Sequence, residues 1–349
     1  MANRARGFTL VELMVALLIG LFVMAGIVQI FINTKRGSVM QEELARQQEN
    51  ERFAMFILAR ELRHAGDLGC WQVENLSGQV AGFRDSLTQF RLAVNGHEAV
   101  SSGGNGSWSP ALPPSLSGVK PGSDVLFLHR AQNLGLALAA PRQSDRFLVT
   151  NLSSDGKVCS GEQDGYSGLC PGDTVIVSDC FHTDEFAIST LGLNNGVLSI
   201  HHADNLFPEN AYLMQNSTRL FKGYSVAYFV KDSLIDGVTV PALYRSIGGG
   251  PPEELLEGVE SMQVLYGVDN DGDSTPDLYL KASSVDFSTP NVVSVQIALL
   301  LRSSSEVKKE AGEAKNMQIL SSSVAIPADR YMRRVASTTI MLRDTVGEG

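Results

Sequence analysis

One apolar stretch near the N-terminus, from Phe8 to Ile32, constrains the fold more than any other feature of the sequence. Its 25 residues carry a single charge, that of Glu12. At about 1.5 Å per residue a helix of this length reaches about 37 Å, which is enough to cross a bilayer core of about 30 Å. Because Arg4 and Arg6 precede the stretch, we expect the N-terminus to stay in the cytoplasm and the rest of the chain to lie on the other side.

The carboxylate of Glu12 is unusual in such a segment. A charge at the centre of a membrane helix costs about 2.5 kcal/mol or more, so such residues commonly have a function. The plain alternative is that Glu12 lies shallow enough for its carboxylate to reach the lipid headgroups.

The residues around Glu12 resemble the signature of type IV prepilins. The resemblance covers Gly7, Phe8, Thr9, Leu10 and Glu12 without a gap, and the apolar run comes directly after them. It implies that a prepilin peptidase cuts after Gly7 and that the new amino terminus of Phe8 is N-methylated. It also implies that Glu12 is the charge that guides subunit assembly.

Elementary electrostatics agrees with that implied role. The new amine at Phe8 can neutralise Glu12 of a neighbouring helix, and a buried carboxylate is tolerated when a cation pairs with it. A competing prediction is a signal-peptidase site at Val23-Met24-Ala25, which would release a soluble chain that begins at Gly26.

The helix is predicted to continue beyond the membrane, because residues 33–64 contain no proline and only one glycine, Gly37. An apolar stripe recurs at spacings of three or four, formed by Met40, Leu44, Met55, Leu58 and Leu62. The stripe is interrupted between Arg46 and Arg52, which predicts exposure there. Gly66 comes directly after Ala65 and predicts the end of the helix.

After Cys70 the pattern changes to short apolar runs between Gly, Asn, Asp, Ser and Pro clusters. Strands are predicted at Val125–His129, Phe147–Thr150, Thr174–Ser178, Phe186–Thr190, Val197–His201, Tyr224–Lys231, Gln263–Val268, Val292–Leu301 and Val335–Leu342. Asp155-Gly156 and Asn195-Gly196 are hairpin-type turns. Residues 101–123 are expected to form a long loop, and residues 303–317 a solvent-exposed loop or short helix.

This order of elements predicts an α+β fold with a pilin-like architecture, a long N-terminal helix packed on an antiparallel sheet. The expected divisions are a leader at 1–7, a membrane or filament-core helix at 8–32, an amphipathic continuation at 33–65 and a β-rich periplasmic domain at 66–349.

Four cysteines, Cys70, Cys159, Cys170 and Cys180, lie beyond the anchor on the side where disulfides persist. An even number fits two disulfides, with three possible connectivities. Zinc is the competing interpretation, but no C-x-x-C pair is present. Cys159 and Cys170 flank a glycine-rich segment that suits a local disulfide, which would leave Cys70 to pair with Cys180.

A second resemblance narrows the type of pilin. Residues 254–269, ELLEGVESMQVLYGVD, resemble a segment shared by PilW-type minor pilins, as do the stretches at Gly69-Cys70, Ser178–Cys180 and Thr338–Arg343. The resemblance implies a subunit that primes filament assembly beside other minor pilins and the major pilin, at the inner-membrane assembly platform, and that sits in or near the pilus tip. It also favours the pairing of Cys70 with Cys180.

One cluster of candidate metal ligands is present, formed by Asp269, Asp271, Asp273 and Asp277 in the run DNDGDSTPD. Carboxylates at alternate positions of a tight loop can converge on calcium, which prefers oxygen ligands. The run resembles the calcium loops of thrombospondin type 3 repeats. It departs from an EF-hand at Ser274 and Leu280, and Asp-Gly-Asp is also ordinary turn chemistry.

The remaining features argue against other classes of function. The formal net charge of −10 speaks against nonspecific nucleic-acid binding by the folded part. No nucleophile, metalloprotease, phosphate-binding or dinucleotide-binding motif is present, so no enzymatic activity is predicted. Two alternatives to a minor pilin of the type IV pilus stay open, a pseudopilin of type II secretion and a calcium-dependent adhesin module at the tip.

Overall fold

One long α-helix, α1, spans Leu10–Arg63 at the start of the described chain, and a short 3₁₀ helix lies at Ala282–Ser284. The structure is a computed structural model, and it describes residues 9–66, 93–101, 106–141, 143–153, 157–159, 164–178, 183–203, 218–235, 237–287 and 291–342. The helix ends as predicted, because Gly66 takes a positive φ of 78° that suits glycine. The backbone N–H of Gly66 then donates to the carbonyl of His129, which ties the helix end to the β domain.

Short strands make up most of the described chain beyond α1. They are β1 Val94–Ser101, β2 Ser107–Ser109, β3 Val125–Asn133, β4 Ala137–Leu138, β5 Arg146–Thr150, β6 Lys157–Val158, β7 Asp164–Gly165, β8 Thr174–Ser178, β9 Thr183–Ala187, β10 Thr190–Asn194, β11 Val197–His201, β12 Arg219–Ile235, β13 Val238–Ile247, β14 Glu253–Glu257, β15 Val259–Val268, β16 Leu278–Leu280, β17 Val292–Arg302, β18 Lys315–Ile319, β19 Ser322–Ile326 and β20 Arg333–Met341.

The strands form three larger sheets, and every strand pair within the described residues is antiparallel. The 8-stranded sheet has the order β14-β13-β12-β3-β1-β2, with β8 beside β12 and β9 beside β8. The two 4-stranded sheets have the orders β16-β15-β17-β20 and β10-β11-β5-β4. Two separate hairpins, β6–β7 and β18–β19, complete the domain. The predicted α+β architecture is therefore confirmed.

The main core lies between the second half of α1 and two of these sheets. Leu58 and Leu62 are fully buried, and they pack in one cluster with Tyr228 of the 8-stranded sheet and with Ile297 and Ile340 of the sheet that contains β17 and β20. Burial of each such side chain contributes about 1.5–3 kcal/mol. The apolar stripe at the end of the helix thus fixes α1 on the β domain, as the sequence predicts.

The middle of the helix differs from the prediction. Gln47, which lies in the interrupted part of the stripe, is 3% exposed, and Glu43 one turn earlier is 8% exposed. The Glu43 carboxylate accepts hydrogen bonds from the backbone N–H of Ser304 at 3.0 Å and from its hydroxyl at 2.7 Å. Gln47 donates to the carbonyl of Met332 at 3.1 Å. The prediction of exposure between Arg46 and Arg52 is therefore wrong for Gln47. The buried face of the helix continues there, but it consists of polar side chains that form hydrogen bonds with the domain.

Several strand predictions also need correction. The predicted strand Phe186–Thr190 is interrupted at Ile188, because β9 belongs to the 8-stranded sheet and β10 to a 4-stranded one, so the chain crosses between sheets there. The expected long loop at 101–123 contains β2, and the expected loop or short helix at 303–317 runs into β18. The Asn195-Gly196 turn joins β10 to β11 with positive φ at both residues, as predicted. The Asp155-Gly156 turn lies outside the described residues.

One buried carboxyl group, that of Asp124, joins the 8-stranded sheet to β15. Its side chain accepts backbone hydrogen bonds from Ala99 at 2.8 Å and from Val264 at 2.9 Å, and it is 3% exposed. Burial, assisted by the negative charge of Glu98, raises the pKa of Asp124 to about 7, although the two backbone donors and the cation of Lys281 oppose that shift. The folded protein therefore holds a proton at this junction that an unfolded chain releases near pH 4.

We expect this proton to make the fold less stable as the pH rises. Asp124 binds the proton more tightly when folded, so its contribution is fully present below about pH 4 and lost as the pH approaches 7. From the pKa difference the loss is at most about 4 kcal/mol. Urea unfolding of the full chain in detergent at pH 5 and pH 8 measures it. Burial also raises the pKa of Glu185 to about 8, so the parent chain alone does not isolate the effect of Asp124. The comparison is therefore the Asp124→Asn variant. If its stability depended on pH as strongly as that of the parent, the assignment to Asp124 would be contradicted.

Candidate functional site

The start of α1 brings two of the predicted signature residues together. The hydroxyl of Thr9 accepts the backbone N–H of Glu12 at 3.3 Å, and the carboxylate of Glu12 accepts the backbone N–H of Thr9 and its hydroxyl at 3.0 Å each. This reciprocal pattern is a capping box, which satisfies backbone donors that every helix leaves free at its first turn. In a single subunit Glu12 therefore caps its own helix. Gly7 and Phe8 lie outside the described residues.

The helix beyond this cap is bare for more than half its length. Every residue from Thr9 to Glu42 is exposed, and the large apolar residues from Leu10 to Phe31 are each at least 49% exposed. This helix alone among the described residues is long and apolar enough to cross a membrane. An apolar surface of that extent is costly in water, so it needs either lipid or other helices around it.

A short bare segment separates the anchor from the domain. Residues 33–42, which we call the neck, have no buried side chain, and the first buried residue after them is Glu43. The neck is about 15 Å long by the rise of an α-helix. Its first turn carries Lys35 and Arg36, and basic side chains of this kind are favourable next to lipid headgroups.

Two polar contacts fix the direction of the helix relative to the domain. Where α1 first meets the domain, the Glu43 carboxylate accepts hydrogen bonds from Ser304 and, at 3.0 Å, from the hydroxyl of Ser305. Near the C-terminal end of α1, the largely buried Glu61 carboxylate pairs with the guanidinium of Arg130 on β3. The domain therefore packs on the C-terminal two fifths of α1, from Glu43 onward.

The structure contains one of the two predicted disulfides. Cys159 and Cys170 are bonded, with their Cα atoms 5.7 Å apart, and the bond closes the local loop after β6. Cys70 and Cys180 lie outside the described residues, so their pairing stays a prediction.

The acidic run after β15 forms a tight loop between β15 and β16. Carboxylate oxygens of Asp269, Asp271 and Asp273 lie within 4.8 Å of one another. The fourth predicted ligand, Asp277, accepts the backbone N–H of Asn270 at 2.7 Å. Asp269 accepts three backbone N–H groups of the loop, between 2.7 and 3.1 Å. These bonds are also those of an ordinary turn, so the geometry suits calcium without requiring it.

The charges in this loop are not balanced by a nearby cation among the described residues. The hydrogen bond that Asp271 accepts from the backbone of Asp273 lowers the pKa of Asp271, but repulsion from Asp273, Asp277 and Asp269 outweighs it, so the pKa of Asp271 is raised. A bound cation would reverse that shift.

The calcium prediction is tested with the full chain in detergent. Calorimetric titration with calcium should release heat with the parent and none with the Asp271→Asn/Asp273→Asn double variant, which removes two of the charged oxygens. Magnesium is the ionic control, because it demands a smaller octahedral site. Absence of heat with the parent would leave the loop an ordinary turn.

Comparison with known families agrees with this architecture. Residues 2–28 match the prokaryotic N-terminal methylation motif, and residues 227–344 match the family described as type IV pilus-assembly protein W. No curated protein and no solved structure matches the chain. The first match, with the bare apolar helix and the β domain behind it, defines a pilin with a prepilin-like N-terminus.

The second match narrows the type, because residues 227–344 are similar to the family of type IV pilus-assembly protein W. The matched region runs from the middle of β12 through β20, so it contains the sheet on which α1 packs. Both families describe structural components of pili and neither describes an enzyme.

Proposed function

We propose that this chain is a minor pilin, a structural subunit that primes or supports assembly of a type IV pilus. The observation that carries the proposal is the bare apolar helix with one carboxylate at its start, joined to the matched PilW region. In this proposal the leader at 1–7 is removed by a prepilin peptidase, which cuts after Gly7, and the amino group of Phe8 is methylated.

The same helix serves two environments in turn. Before assembly, residues 8–32 lie in the inner membrane, and the β-rich domain at 66–349 lies in the periplasm. On assembly the apolar face exchanges lipid for the helices of neighbouring subunits, and Glu12 exchanges its own helix cap for the amine of a neighbour. Since lipid and packed helices are similarly apolar, this exchange costs little, and the charge pair selects the register.

The partners are those that this route requires. They are the prepilin peptidase, other minor pilins and the major pilin, and the assembly platform of the inner membrane. No nucleic-acid partner is proposed. A place in or near the pilus tip, and a contribution to twitching motility, adhesion or DNA uptake, belong to the same proposal and rest on the PilW resemblance.

The experiment combines mass spectrometry with fractionation of sheared pili. The mature chain should begin at N-methylated Phe8 and should be present in the sheared filaments. A chain that keeps its first seven residues, or one that begins at Gly26 after cleavage at Ala25, would contradict the proposal.

A deletion of the gene separates the alternatives. Loss of surface filaments supports the pilus subunit, and loss of exoprotein export with normal filaments supports a pseudopilin of type II secretion. Normal filaments with lost attachment, restored only when calcium is present, would favour an adhesin that uses the loop at Asp269–Asp277.

A further inference from the structure

The neck, residues 33–42, lies between two parts of α1 that are each held in place. On its N-terminal side the apolar run ends at Ile32, the last residue of the predicted membrane span. On its C-terminal side Glu43 is the first buried residue, and hydrogen bonds from Ser304 and Ser305 attach it to the domain. Within the neck every residue is exposed, so neither the apolar run nor the domain supports this part of the helix.

The composition of the neck is unfavourable for a helix. Its sequence, NTKRGSVMQE, contains Gly37 and four other residues of low helix propensity, which are Asn33, Thr34, Ser38 and Val39. Relative to alanine, glycine lowers the stability of a helix by a factor of about five, and each of the other four lowers it about two- to threefold. These factors multiply, and no burial against the domain offsets them.

The packing of the subunit does not require a glycine at position 37. A Cβ atom built there would meet no side chain and no neighbouring element within 4 Å, and the residue lies inside a regular helix. Gly66 differs, because its positive φ of 78° is a conformation that other residues rarely adopt. Gly37 therefore weakens the helix without serving a close contact or a turn in this subunit.

A side-chain hydrogen bond at the start of the neck acts in the same direction. The hydroxyl of Thr34 donates to the backbone carbonyl of Ile30 at 2.9 Å. In an α-helix that carbonyl already accepts the backbone N–H of Thr34, and a second donor of this kind slightly weakens and bends a helix. Two features of the neck thus favour local opening, its composition and this competing bond.

The parts of α1 on either side resist opening for two different reasons. Where lipid surrounds residues 10–32, no water replaces a broken backbone hydrogen bond, so opening there leaves costly unpaired groups. In the packed half, Leu58 and Leu62 are fully buried in the main core and would have to leave it. The neck is exposed to water and packed against nothing, so opening is least costly there.

We propose that the neck is a hinge, at which α1 opens around Gly37 and Ser38 so that the β domain tilts while its anchor stays in the membrane. The inference rests on the proposed function for its membrane anchor. A tilt at this point changes the direction of the domain and alters neither the packed half of α1 nor the first turn at Glu12. The domain can therefore take one direction at the membrane and another in the filament.

Hydrogen exchange of the full chain in lipid nanodiscs tests the opening. The protection factors of the backbone amides of residues 38–42 should be at least about tenfold lower than those of residues 47–62, because of the propensities of the neck. Gly37→Ala/Ser38→Ala should raise protection in the neck about tenfold and leave residues 47–62 unchanged. The matched control is Gln48→Ala, on an exposed position of the packed half, which should change neither segment.

Two results of this experiment would overturn the proposal. One is equal protection of the two segments in the parent chain. The other is a neck that exchanges at the parent rate in the Gly37→Ala/Ser38→Ala variant. Since a Cβ atom at position 37 meets nothing, the variant is expected to fold, and the protection of residues 47–62 reports that it does.

Pulsed electron resonance between two nitroxide labels measures the tilt itself. Labels at positions 28 and 335 connect the anchor to the domain, since Val28 is 53% exposed on α1 and Val335 is 39% exposed on β20. Labels at positions 63 and 335 form the control pair, because both lie beyond the neck. Genetically encoded labels leave the four cysteines untouched. The 28–335 distance distribution should be broader than that of the control pair and should narrow in Gly37→Ala/Ser38→Ala, whereas equal widths would overturn the hinge.

The outcomes separate the hinge from the proposed function. If the neck opens in nanodiscs and the parent chain is absent from sheared pili, the proposed function fails and the hinge stands. If the parent is present in sheared pili and its neck is as protected as the packed half, the hinge alone fails.

Discussion

Replacing Glu12 by alanine should leave the chain in the membrane but lower its incorporation into pili by at least about a hundredfold. Removal of one partner of a buried charge pair costs about 3–5 kcal/mol, because the other charge stays buried without compensation, and each 1.4 kcal/mol is a factor of ten. Insertion is preserved, since the segment becomes more apolar. Quantitative immunoblots of membranes and of sheared filaments measure both quantities.

Glu12 also caps its own helix, so the charge has to be separated from the cap. A glutamine at position 12 keeps an oxygen that can accept the backbone N–H of Thr9, and it removes the charge. If the charge guides assembly, Glu12→Gln should incorporate as poorly as Glu12→Ala. Incorporation at the parent level in the glutamine variant would show that only the cap matters. Glu310→Ala is the control, because it removes a carboxylate from an exposed loop of the domain.

The parts of the fold that the sequence predicts are those fixed by local pattern. The apolar run, the stop at Gly66 and the Asn195-Gly196 turn each need only neighbouring residues, and each is found in the structure. Strands with continuous apolar runs, such as β8 and β17, are found nearly at the predicted bounds for the same reason.

The features that the sequence does not predict depend on partners far along the chain. Glu43 and Gln47 look solvent-exposed in a helical pattern. Their partners lie far along the chain, Ser304 for Glu43 at a separation of 261 residues and Met332 for Gln47 at 285. In the sequence Asp124 looks like a turn residue. In the structure its carboxyl group accepts backbone hydrogen bonds from β1 and β15. The sequence around a polar side chain does not tell whether its hydrogen-bond partner is a buried group of the protein or water.

The same distinction between local pattern and distant partners applies to the candidate site. Thr9 and Glu12 lie together because they are three residues apart at the start of a helix. The aspartates of the acidic loop after β15 converge because they alternate in one tight turn. The exposed end of the β12–β13 hairpin, by contrast, depends on where β3 stops pairing with β12 and where β14 starts pairing with β13. Only the structure reveals where that pairing ends, so the exposure of Leu234 has no signal in the sequence.

The largest effect on stability should come from Arg333, which is almost fully buried at the start of β20. Its guanidinium binds Glu260 of β15 at 2.5 and 3.0 Å and Asp329 at 2.7 and 2.6 Å, and its side chain is 5% exposed. It is therefore shared between two carboxylates beside the sheet that supports α1. Arg333→Leu would leave both carboxylates poorly compensated, and we expect the free energy of unfolding to fall by about 3–5 kcal/mol.

A neighbouring arginine provides the matched control for this prediction. Arg330 binds Glu306 at 3.1 Å, but these side chains are 53% and 44% exposed, so Arg330→Leu should cost no more than about 1 kcal/mol. The hydrogen bonds from Arg333 hold the pKa of Asp329 below its usual range. That contribution is present above about pH 4 and is lost as the pH falls, so the deficit of Arg333→Leu should shrink in acid. Urea unfolding of the three proteins in detergent at pH 7 and pH 3 tests both points, and equal losses in the two variants would show that burial of Arg333 contributes nothing.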